Sequence, residues 1–432
     1  MTRGRRVLAL AAATALTVTA CSESATDQSD AAERAANDPQ SVTGTVTFWD
    51  TSDATSESPA YKELVKRFEE KYPKITVDYV NVPFDGADDK FKTAAASGDG
   101  APDVMRSDVG WTPTFAALGY LQPLDGTPAL EGSDDYLPVP MASNVYEDKT
   151  YGVPQVTDTL ALLYNKEHFD KAGIDEPPST WEELRKAAET LEEKIPGTTG
   201  IFINADSYYL LPFVYGEGAD YVDTEGERIT IDSPEVKAAI ETVRELTADG
   251  VGTTDTSANK YTNMVDGFKN GSISMIINGP WSMSDTLTGK AFSDPDNLGV
   301  APVPAGPKGQ GGPVGGHNYT IYAGSDNLAA SYLFVQFMNS PESQAYVAAQ
   351  NNTLPTRESV YEVPEVADNE VIEAFAEPIE QAVPRPPAPG AGTLYDLFTP
   401  FYEQILGGQT SLEDGLAQAQ RKAKDAVPGY ES

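Results

Sequence analysis

The feature that most constrains the fold of this chain is an alternation of short β-type runs and amphipathic helical stretches along nearly its whole length. Residues 45–49 form a strand-like run, and the apolar side chains of 61–68 recur at helical spacing. Residues 75–80 then alternate between apolar and polar side chains, as a half-buried strand does. Repetition of this β–α–β order predicts an α/β protein.

The length of the chain sets the number of lobes. About 390 residues follow a polar N-terminal segment, which is too many for one hydrophobic core. We therefore expect two lobes, each with its own core.

The N-terminus is typical of an export signal. Arg3, Arg5 and Arg6 precede an apolar run, 7–18, that is too short to span a bilayer. The residues VTAC that end at Cys21 resemble a bacterial lipobox, so residues 1–20 are predicted to be a signal peptide and Cys21 the lipidated residue. Cys21 is the only cysteine, which leaves its thiol free for acylation. The alternatives are an ordinary signal peptide with an incidental cysteine, and export by either the general or the twin-arginine route.

Residues 21–42 are polar, charged and rich in alanine, with almost nothing to bury. This composition predicts a flexible tether between a lipid anchor and the folded body.

The charge of the chain excludes some partners. Its formal net charge of −36 repels phosphate backbones and anionic headgroups, which argues against nucleic acid and against membrane binding by charge. Most of this acidity is interpreted as a solubility trait of an exported protein.

Motifs for catalysis or for a cofactor are missing from the sequence. There is no nucleophile elbow, no phosphate-binding glycine loop and no His/Cys spacing typical of a metal site. Of the two histidines, His168 and His317, the first is predicted to lie at the surface. We expect no metal and no cofactor.

Aromatic residues give the positive signal. Trp111, Tyr208, Trp281 and Tyr395 each lie in or beside a predicted loop, where a large ring is less easily explained as core. A sugar offers an apolar face and an edge of hydroxyls, so its site needs flat rings and carboxylates that accept hydrogen bonds. Plain packing remains the alternative for each ring.

Three segments make the chain recognisable: TLALLYNK at 159–166, PSTWEEL at 178–184 and INGPW at 277–281. In this order and spacing they closely resemble the cluster 1 extracellular solute-binding proteins of carbohydrate ABC importers, of the maltose/maltodextrin-binding type. NVPFD at 81–85, VGWTP at 109–113 and GGHN at 315–318 are similar to the actinobacterial branch. The resemblance covers 42–432.

The resemblance implies a type II periplasmic-binding-protein-like fold, with two α/β lobes joined by a multi-strand hinge and a ligand cleft between them. The expected N-terminal lobe comprises 43–156 and 319–365, and the expected C-terminal lobe comprises 157–318 and 366–432. Crossings are expected near 156–157, 314–318 and 366–371. Proteins of this kind close around their ligand by a hinge motion between the two lobes.

The resemblance also implies which residues bind the ligand. Asp158 corresponds to a carboxylate at the hinge, Trp281 to a stacking tryptophan, and Gly316 to flexible backbone in a crossing. The complete expected set is Asp53, Glu57, Asp108, Trp111, Asp158, Asp206, Tyr208, Trp281, Gly316 and Tyr395. The chain departs from the best-known maltodextrin binders at Ala54, Ser107 and 110–111, which puts the sugar contacts of the first lobe in doubt.

The implied function is capture of an oligosaccharide, first of all maltose or a maltodextrin, and its delivery to an ABC import permease in the membrane. The expected protein is a monomeric, lipid-anchored binding protein on the extracellular face of the cytoplasmic membrane, and no enzyme. Alternatives are trehalose, cellobiose or xylobiose as ligand, a cationic ligand such as a polyamine, and a secreted glycoside hydrolase.

Overall fold

The structure is a computed structural model, which describes residues 20–248 and 250–431, with side chains from residue 28 onward. The strands are, in chain order, β1 Gly44–Asp50, β2 Ile75–Asn81, β3 Val104–Asp108, β4 Val145–Tyr146, β5 Lys149–Thr150, β6 Gly152–Asp158, β7 Ala161–Asn165, β8 Thr199–Asn204, β9 Val222–Asp223, β10 Arg228–Ile229, β11 Gly252–Asp255, β12 Ile273–Asn278, β13 Leu298–Pro302, β14 Gly315–Ile321 and β15 Leu354–Pro355.

Helices alternate with these strands. They are α1 Ala20–Asn37, α2 Ser58–Lys71, α3 Ala87–Ser97, α4 Thr112–Ala117, α5 Pro138–Ala142, α6 Lys166–Ala172, α7 Trp181–Lys194, α8 Leu211–Gly216, α9 Pro234–Leu246, α10 Lys260–Lys269, α11 Met283–Thr286, α12 Leu328–Met338, α13 Pro341–Asn351, α14 Pro364–Ala367, α15 Glu370–Ala374, α16 Ala376–Glu380, α17 Leu394–Leu406 and α18 Leu412–Ala423. Within the described ranges, none of these helices is long and apolar enough to span a bilayer.

The starts of three long helices follow from local sequence. The hydroxyl of Thr180 accepts a hydrogen bond from the N–H of Glu183 at the start of α7. Ser233 caps α9 and Ser340 caps α13 in the same way. Each of these side chains satisfies a backbone N–H that has no partner inside its helix, and the helix begins there for that reason.

The first lobe is built on a six-stranded sheet in the order β15-β6-β14-β3-β1-β2. β1 pairs in parallel with β2 and β3, whereas β14 runs antiparallel to β3 and β6. Phe48 and Trp49 are consecutive residues of β1 and belong to separate core clusters. Since successive side chains of a strand point to opposite faces, this sheet carries a core on each face.

The second lobe is built on a five-stranded sheet in the order β11-β8-β12-β7-β13. All residues of β12 are buried, as expected for a central strand covered on both faces. Helices α7, α9 and α10 pack around this sheet, and Phe268, Leu184 and Ile240 lie in the resulting core.

The chain passes between the two lobes three times. β6 of the first sheet is followed by β7 of the second after only two residues. The chain returns between β13 and β14, through a segment rich in proline and glycine. The third passage lies between β15, in the first sheet, and α15, which packs against β13 of the second sheet. This passage contains helical turns, whereas each of the first two leads from a strand of one sheet to a strand of the other.

The segment predicted to be a flexible tether is different in the structure. It forms α1, and Ala31 and Ala35 are buried against α12 in the core of the first lobe. The Gln28 side-chain amide also donates a hydrogen bond to the carbonyl of Pro123. Alanines four residues apart share one helix face, and their small size lets two helices approach closely, so the segment docks although it has few large apolar side chains.

Two other N-terminal predictions lie outside what the structure describes. Residues 1–19, which hold nearly all of the predicted signal peptide, are outside the described ranges. The side chain of Cys21, the predicted site of lipidation, is outside them as well.

Candidate functional site

The candidate site is centred where three neighbouring strands of the first sheet meet the second lobe. β14 lies between β3 and β6, so residues at their adjoining ends are neighbours. His317 pairs with Asp108 at the end of β3, and Gly315 pairs with Asp158 at the end of β6. The sheet therefore brings together Asp108 and Asp158, which are 50 residues apart in sequence and were both predicted to be site residues.

Asp108 forms an ion pair that bridges the lobes. Its Oδ1 accepts hydrogen bonds from Arg385 Nη2 at 2.6 Å and from the N–H of Gly110 at 2.7 Å. The Arg385 side chain is 8% exposed and that of Asp108 is 15% exposed, so the pair is largely shielded from water. Glycine at position 110 leaves room for the pair, because a methyl group there would lie 3.0 Å from Asp108 Oδ1 and 3.2 Å from the guanidinium carbon.

Asp158 presents an unused acceptor. Its Oδ1 is enclosed and has no hydrogen-bond partner. Burial, with a further contribution from the Asp108 carboxylate, raises the pKa of Asp158 to about 7. A methyl group on Gly315 would lie 2.0 Å from this Oδ1 and 2.9 Å from the hydroxyl of Tyr208, so only glycine leaves room at this position for both side chains.

Two predicted rings of the second lobe meet beside this carboxylate. Tyr208 and Tyr395 pack edge to face, with ring centroids 5.8 Å apart. The guanidinium carbon of Arg385 is 5.9 Å from the first ring and 5.7 Å from the second. The three side chains form one cluster with an apolar surface and a positive charge.

Asp206 positions the loop that carries Tyr208. Its Oδ1 accepts the N–H of Tyr208 at 2.9 Å and caps the short 3₁₀ helix Ser207–Leu210. Burial raises the pKa of Asp206, although this hydrogen bond opposes the rise. Since this carboxylate is already bonded to backbone, its role in the structure is to orient the ring.

Asp53 and Glu57 lie at the start of α2, on the first lobe. Asp53 Oδ1 accepts four hydrogen bonds from the backbone and hydroxyl groups of Thr55 and Ser56. Burial opposes its ionisation, but these bonds prevail and lower the pKa of Asp53 to about 2. Glu57 Oε2 accepts the N–H of Asp53, whereas its Oε1 is enclosed without a partner. Burial raises the pKa of Glu57 against the opposing charge of Arg106.

Trp111 is placed differently from the prediction. It is only 5% exposed and belongs to a core cluster of the first lobe. Phe84 stacks on it, with centroids 5.1 Å apart and planes at 25°, and is itself 44% exposed. Trp111 therefore supports the aromatic surface that Phe84 presents. The exposed ring was missed because it follows a proline in an irregular segment.

Trp281 is half-buried at the end of β12, in the short 3₁₀ helix Pro280–Ser282. Its ring covers Gly279, where a methyl group would lie 1.9 Å from a ring carbon. The pKa of Tyr261, on α10, is raised mainly by burial and also by the charge of Glu57 of the first lobe. Tyr261 of the second lobe therefore lies within electrostatic range of Glu57 of the first lobe.

Gly316 has a structural role in β14. Its φ of +122° suits glycine alone, and a methyl group on it would lie 2.1 Å from the carbonyl oxygen of Val156. Its own carbonyl accepts the N–H of Val109 at 3.1 Å. The residue thereby holds the loop after β3 against β14.

Sequence reasoning missed three further side chains of this region: Arg106, His317 and Arg385. Arg106 is almost completely buried on β3, and its Nε donates to Gln155 Oε1 at 2.8 Å. A cation is uncommon in a chain with 30 basic and 66 acidic residues, and Arg385 interrupts a run of prolines. Because basic residues are so few, Arg106 and Arg385 could have been singled out from the sequence as candidate site residues.

The position of His168 differs from the one predicted. His168 was expected at the surface, but it is 7% exposed and its Nδ1 lies 3.0 Å from the hydroxyl of Ser274. It lies on α6 with its ring toward β12, so it is a satisfied core histidine. Among the described residues, no group of three His, Cys, Asp or Glu side chains is arranged to hold a metal ion.

Comparison with known proteins agrees with this architecture. The GacH receptor of Streptomyces glaucescens, solved without ligand and in complex with acarbose and an acarbose homolog, is 45% identical. It superposes with a TM-score of 0.85 and covers 90% of this chain and 100% of its own. The maltotriose-binding protein of Pyrococcus abyssi is 25% identical over 373 residues, which are 84% of this chain and 78% of that protein. The diacetylchitobiose-binding protein DasA of Streptomyces coelicolor is 26% identical over 319 residues, 73% of this chain and 74% of that protein.

The predicted fold class, two α/β lobes of the type II periplasmic-binding-protein kind, is confirmed by the superposition. The resemblance stated from the three sequence segments is confirmed as well, since the family model for bacterial extracellular solute-binding proteins matches residues 52–345. This chain therefore belongs to the bacterial extracellular solute-binding protein family.

Proposed function

We propose that this protein captures an oligosaccharide between its two lobes and passes it unaltered to an ABC import permease. The observation that carries the proposal is a pair of enclosed acceptors without partners, Asp158 Oδ1 and Glu57 Oε1. Asp158 lies beside Tyr208, which packs on Tyr395, and Glu57 is close enough for its charge to act on Asp158. Hydroxyl groups of a sugar would supply the missing donors, and its C–H face would pack on the rings.

The energies of these contacts suit reversible capture. A hydrogen bond to a charged group contributes about 1.5 to 3 kcal/mol and an aromatic contact about 0.5 to 1.5 kcal/mol. A few of each would offset the cost of ordering the ligand and leave a micromolar site, which corresponds to about −8 kcal/mol. The ligand would favour closure by contacting residues of both lobes at once.

Three relatives support the saccharide class. Their names state that they bind acarbose, maltotriose and diacetylchitobiose, all of them oligosaccharides or close analogues. We place maltose and maltodextrins first for this chain, with trehalose, cellobiose and xylobiose as alternatives.

Calorimetric titration of the purified protein tests the proposal. We would titrate maltose, maltotriose, acarbose, trehalose, cellobiose and xylobiose separately, and expect micromolar binding by at least one. Trp281→Ala should weaken that ligand at least tenfold, because it removes a half-buried ring of the second lobe. Tyr346→Ala removes a ring that lies under Arg67 of α2, away from the site, and serves as the control. Binding of none of the six would refute the proposal.

A cationic ligand is the second candidate, and the unpartnered carboxylates favour it as well. Spermidine or a basic peptide would then bind with an affinity that falls steeply between 0.05 and 0.5 M salt, whereas a neutral sugar would respond little. Titration of spermidine at two salt concentrations separates the two candidates.

We further propose that the protein performs no chemistry on its ligand. The elevated pKa of Asp158 would suit a general acid, so a glycosidase is the alternative to exclude. Prolonged incubation with maltotriose followed by chromatography should return the trisaccharide alone. Release of glucose or maltose would overturn this part of the proposal.

Anchoring completes the proposal: a lipid on Cys21 would hold the protein at the outer face of the cytoplasmic membrane as a monomer. Cys21→Ser should then release the protein from the membrane fraction into the medium, and mass spectrometry of the wild-type protein should detect a diacylglyceryl group. A membrane-bound Cys21→Ser variant would contradict the anchor.

A further inference from the structure

His317 occupies a central position that none of the predicted binding residues occupies. It lies on β14, opposite Asp108 of β3 and Val156 of β6, and the register with β6 shifts just after it. The strand on which it lies begins where the chain returns from the second lobe to the first. A side chain here is adjacent to the ion pair of Asp108 with Arg385.

Both ring nitrogens of His317 are enclosed and lack a hydrogen-bond partner. The edge of Phe84 packs against the ring, with centroids 5.9 Å apart and planes at 73°. Burial lowers the pKa of His317 well below its usual value, and the guanidinium groups of Arg106 and Arg385 lower it further. The imidazole is therefore neutral at physiological pH, with one N–H donor and one bare nitrogen acceptor.

Burying an imidazole without hydrogen-bond partners lowers the stability of the folded protein. Each buried polar group without a partner costs about 1 to 3 kcal/mol, and buried side-chain polar atoms in native proteins are nearly always bonded. The only other histidine shows the usual solution, since His168 pairs with Ser274. An unsatisfied group in a native protein calls for an explanation, and a role in ligand binding supplies one for His317.

We propose that His317 binds the ligand directly, donating one hydrogen bond and accepting another from hydroxyl groups of the saccharide. This inference rests on the proposed function and deepens it. A hydroxyl can both accept from the imidazole N–H and donate to its bare nitrogen, whereas an ammonium group can only donate. The position beside two guanidinium groups also disfavours a cation, so His317 selects for uncharged polyols over polyamines.

Phe84 would complete this subsite. Its ring is partly exposed and touches both Trp111 and His317. An apolar ring beside a neutral donor–acceptor pair matches the two kinds of surface of a sugar, and both come from the first lobe. Arg385 connects this subsite with the second lobe, because it pairs with Asp108 opposite His317 and also lies near the rings of Tyr208 and Tyr395.

Nitrogen-15 NMR of the imidazole side chains tests the inference on the unmodified protein, because the sequence contains only two histidines. Titration with the saccharide that binds in calorimetry should move both ring nitrogen signals of His317 by several ppm and leave those of His168 in place. The His317→Ala variant assigns the signals.

Affinities of variants give the second readout. His317→Ala should weaken the saccharide at least tenfold, and His317→Gln, which keeps a donor and an acceptor, should recover part of the loss. His168→Gln is the matched control and should bind within twofold of wild type. The wild-type NMR titration covers the case in which a variant does not fold.

The outcomes separate the two proposals. Saccharide binding that leaves the His317 signals unchanged, or full affinity in His317→Ala, overturns the role of His317 and leaves the proposed function intact. A protein that binds no saccharide overturns both.

Discussion

Arg385 shows how much a single residue contributes to the arrangement of the lobes. It reaches from the segment after α16 to Asp108 at the end of β3, and it also lies near the rings of Tyr208 and Tyr395. A shielded ion pair contributes little when compared with apolar packing, but the loss of one partner leaves the other charge unpaired. The pair therefore matters more for which arrangement forms than for total stability.

Removal of this arginine gives the first prediction. Arg385→Gln should lower the free energy of unfolding by about 3 kcal/mol, because Asp108 would keep a buried charge without its cation. Denaturant unfolding of Arg385→Gln, Asp108→Asn and the double variant measures the coupling. The double variant should lose less than the sum of the single losses. If the loss in the double variant equals the sum of the two single losses, Asp108 and Arg385 are not energetically coupled and the prediction fails.

Asp158 gives a prediction about pH. Its pKa is about 7 in the fold against an ordinary value of 3.8, so the folded protein holds this proton more tightly than the unfolded chain. Below pH 3.8 the group is protonated in both states and has no effect on stability. As pH rises from about 4 to about 7, its contribution falls, and a pKa difference of about 3 corresponds to at most about 4 kcal/mol.

The Asp158→Asn variant cannot ionise at this position, so it should not show this fall in stability as pH rises. The variant should be more stable than wild type at pH 8, and the difference should shrink toward zero near pH 4. Urea unfolding at both pH values measures it. Asp53→Asn is the control: because the pKa of Asp53 is lowered to about 2, its difference from wild type should stay nearly constant between pH 8 and pH 4 and shrink only below pH 4. A constant difference between the two pH values would contradict the elevated pKa.

At the scale of elements, α1 is the helix whose role the sequence least reveals. It docks on α12 through Ala31 and Ala35, and Gln28 adds a hydrogen bond to Pro123. A docked helix leaves few residues between Cys21 and the first lobe. If the lipid is present, the lobe is thereby held close to the membrane, with an orientation that a flexible tether would not impose.

A charge on the docked face of α1 tests this contact. Ala35→Glu should lower the free energy of unfolding by about 2 kcal/mol or detach the helix, because it places a carboxylate in an apolar contact. The same substitution at the exposed Ala36 is the control and should have little effect. Thermal unfolding and hydrogen exchange of α1 are the measurements. Equal behaviour of the two variants would show that α1 does not dock.

For the whole molecule, the excess of negative charge produces repulsion between the two lobes. Carboxylates of both lobes face one another near the site: burial, together with Asp88 and Asp206, raises the pKa of Asp396 to about 7. Asp88 lies on α3 of the first lobe, whereas Asp206 and Asp396 belong to the second. Like charges across the cleft oppose closure, so contacts that a ligand makes with both lobes have a repulsion to overcome.

Salt should therefore stabilise this protein. Raising ionic strength from 0.01 to 0.1 M shortens the Debye length from about 30 to about 10 Å and screens the repulsion within a chain of net charge −36. We expect calorimetry at pH 7.5 to show a higher Tm at the higher salt, with potassium chloride and sodium chloride giving the same increase. A Tm that falls with salt would indicate that attractive ion pairs dominate.

Many elements and the family could be predicted from the amino-acid sequence, although α1 was expected to be a flexible tether. Alternating periodicity marked β2, hydroxyl caps marked the starts of α7, α9 and α13, and three short segments were sufficient to identify the family. These features depend on neighbours within a few residues, so they can be read along the chain.

Which side chains meet in the site could be seen only once the chain was folded. The tertiary structure placed Arg385 on Asp108 across 277 residues, enclosed His317 without a partner, buried Trp111 beneath Phe84 and docked α1 on α12. Each of these depends on which strands become neighbours and which faces pack together, and periodicity along the chain carries no information about that. Burial and charge in the site follow from the same packing, because the pKa of Asp158 is set by groups distant in sequence.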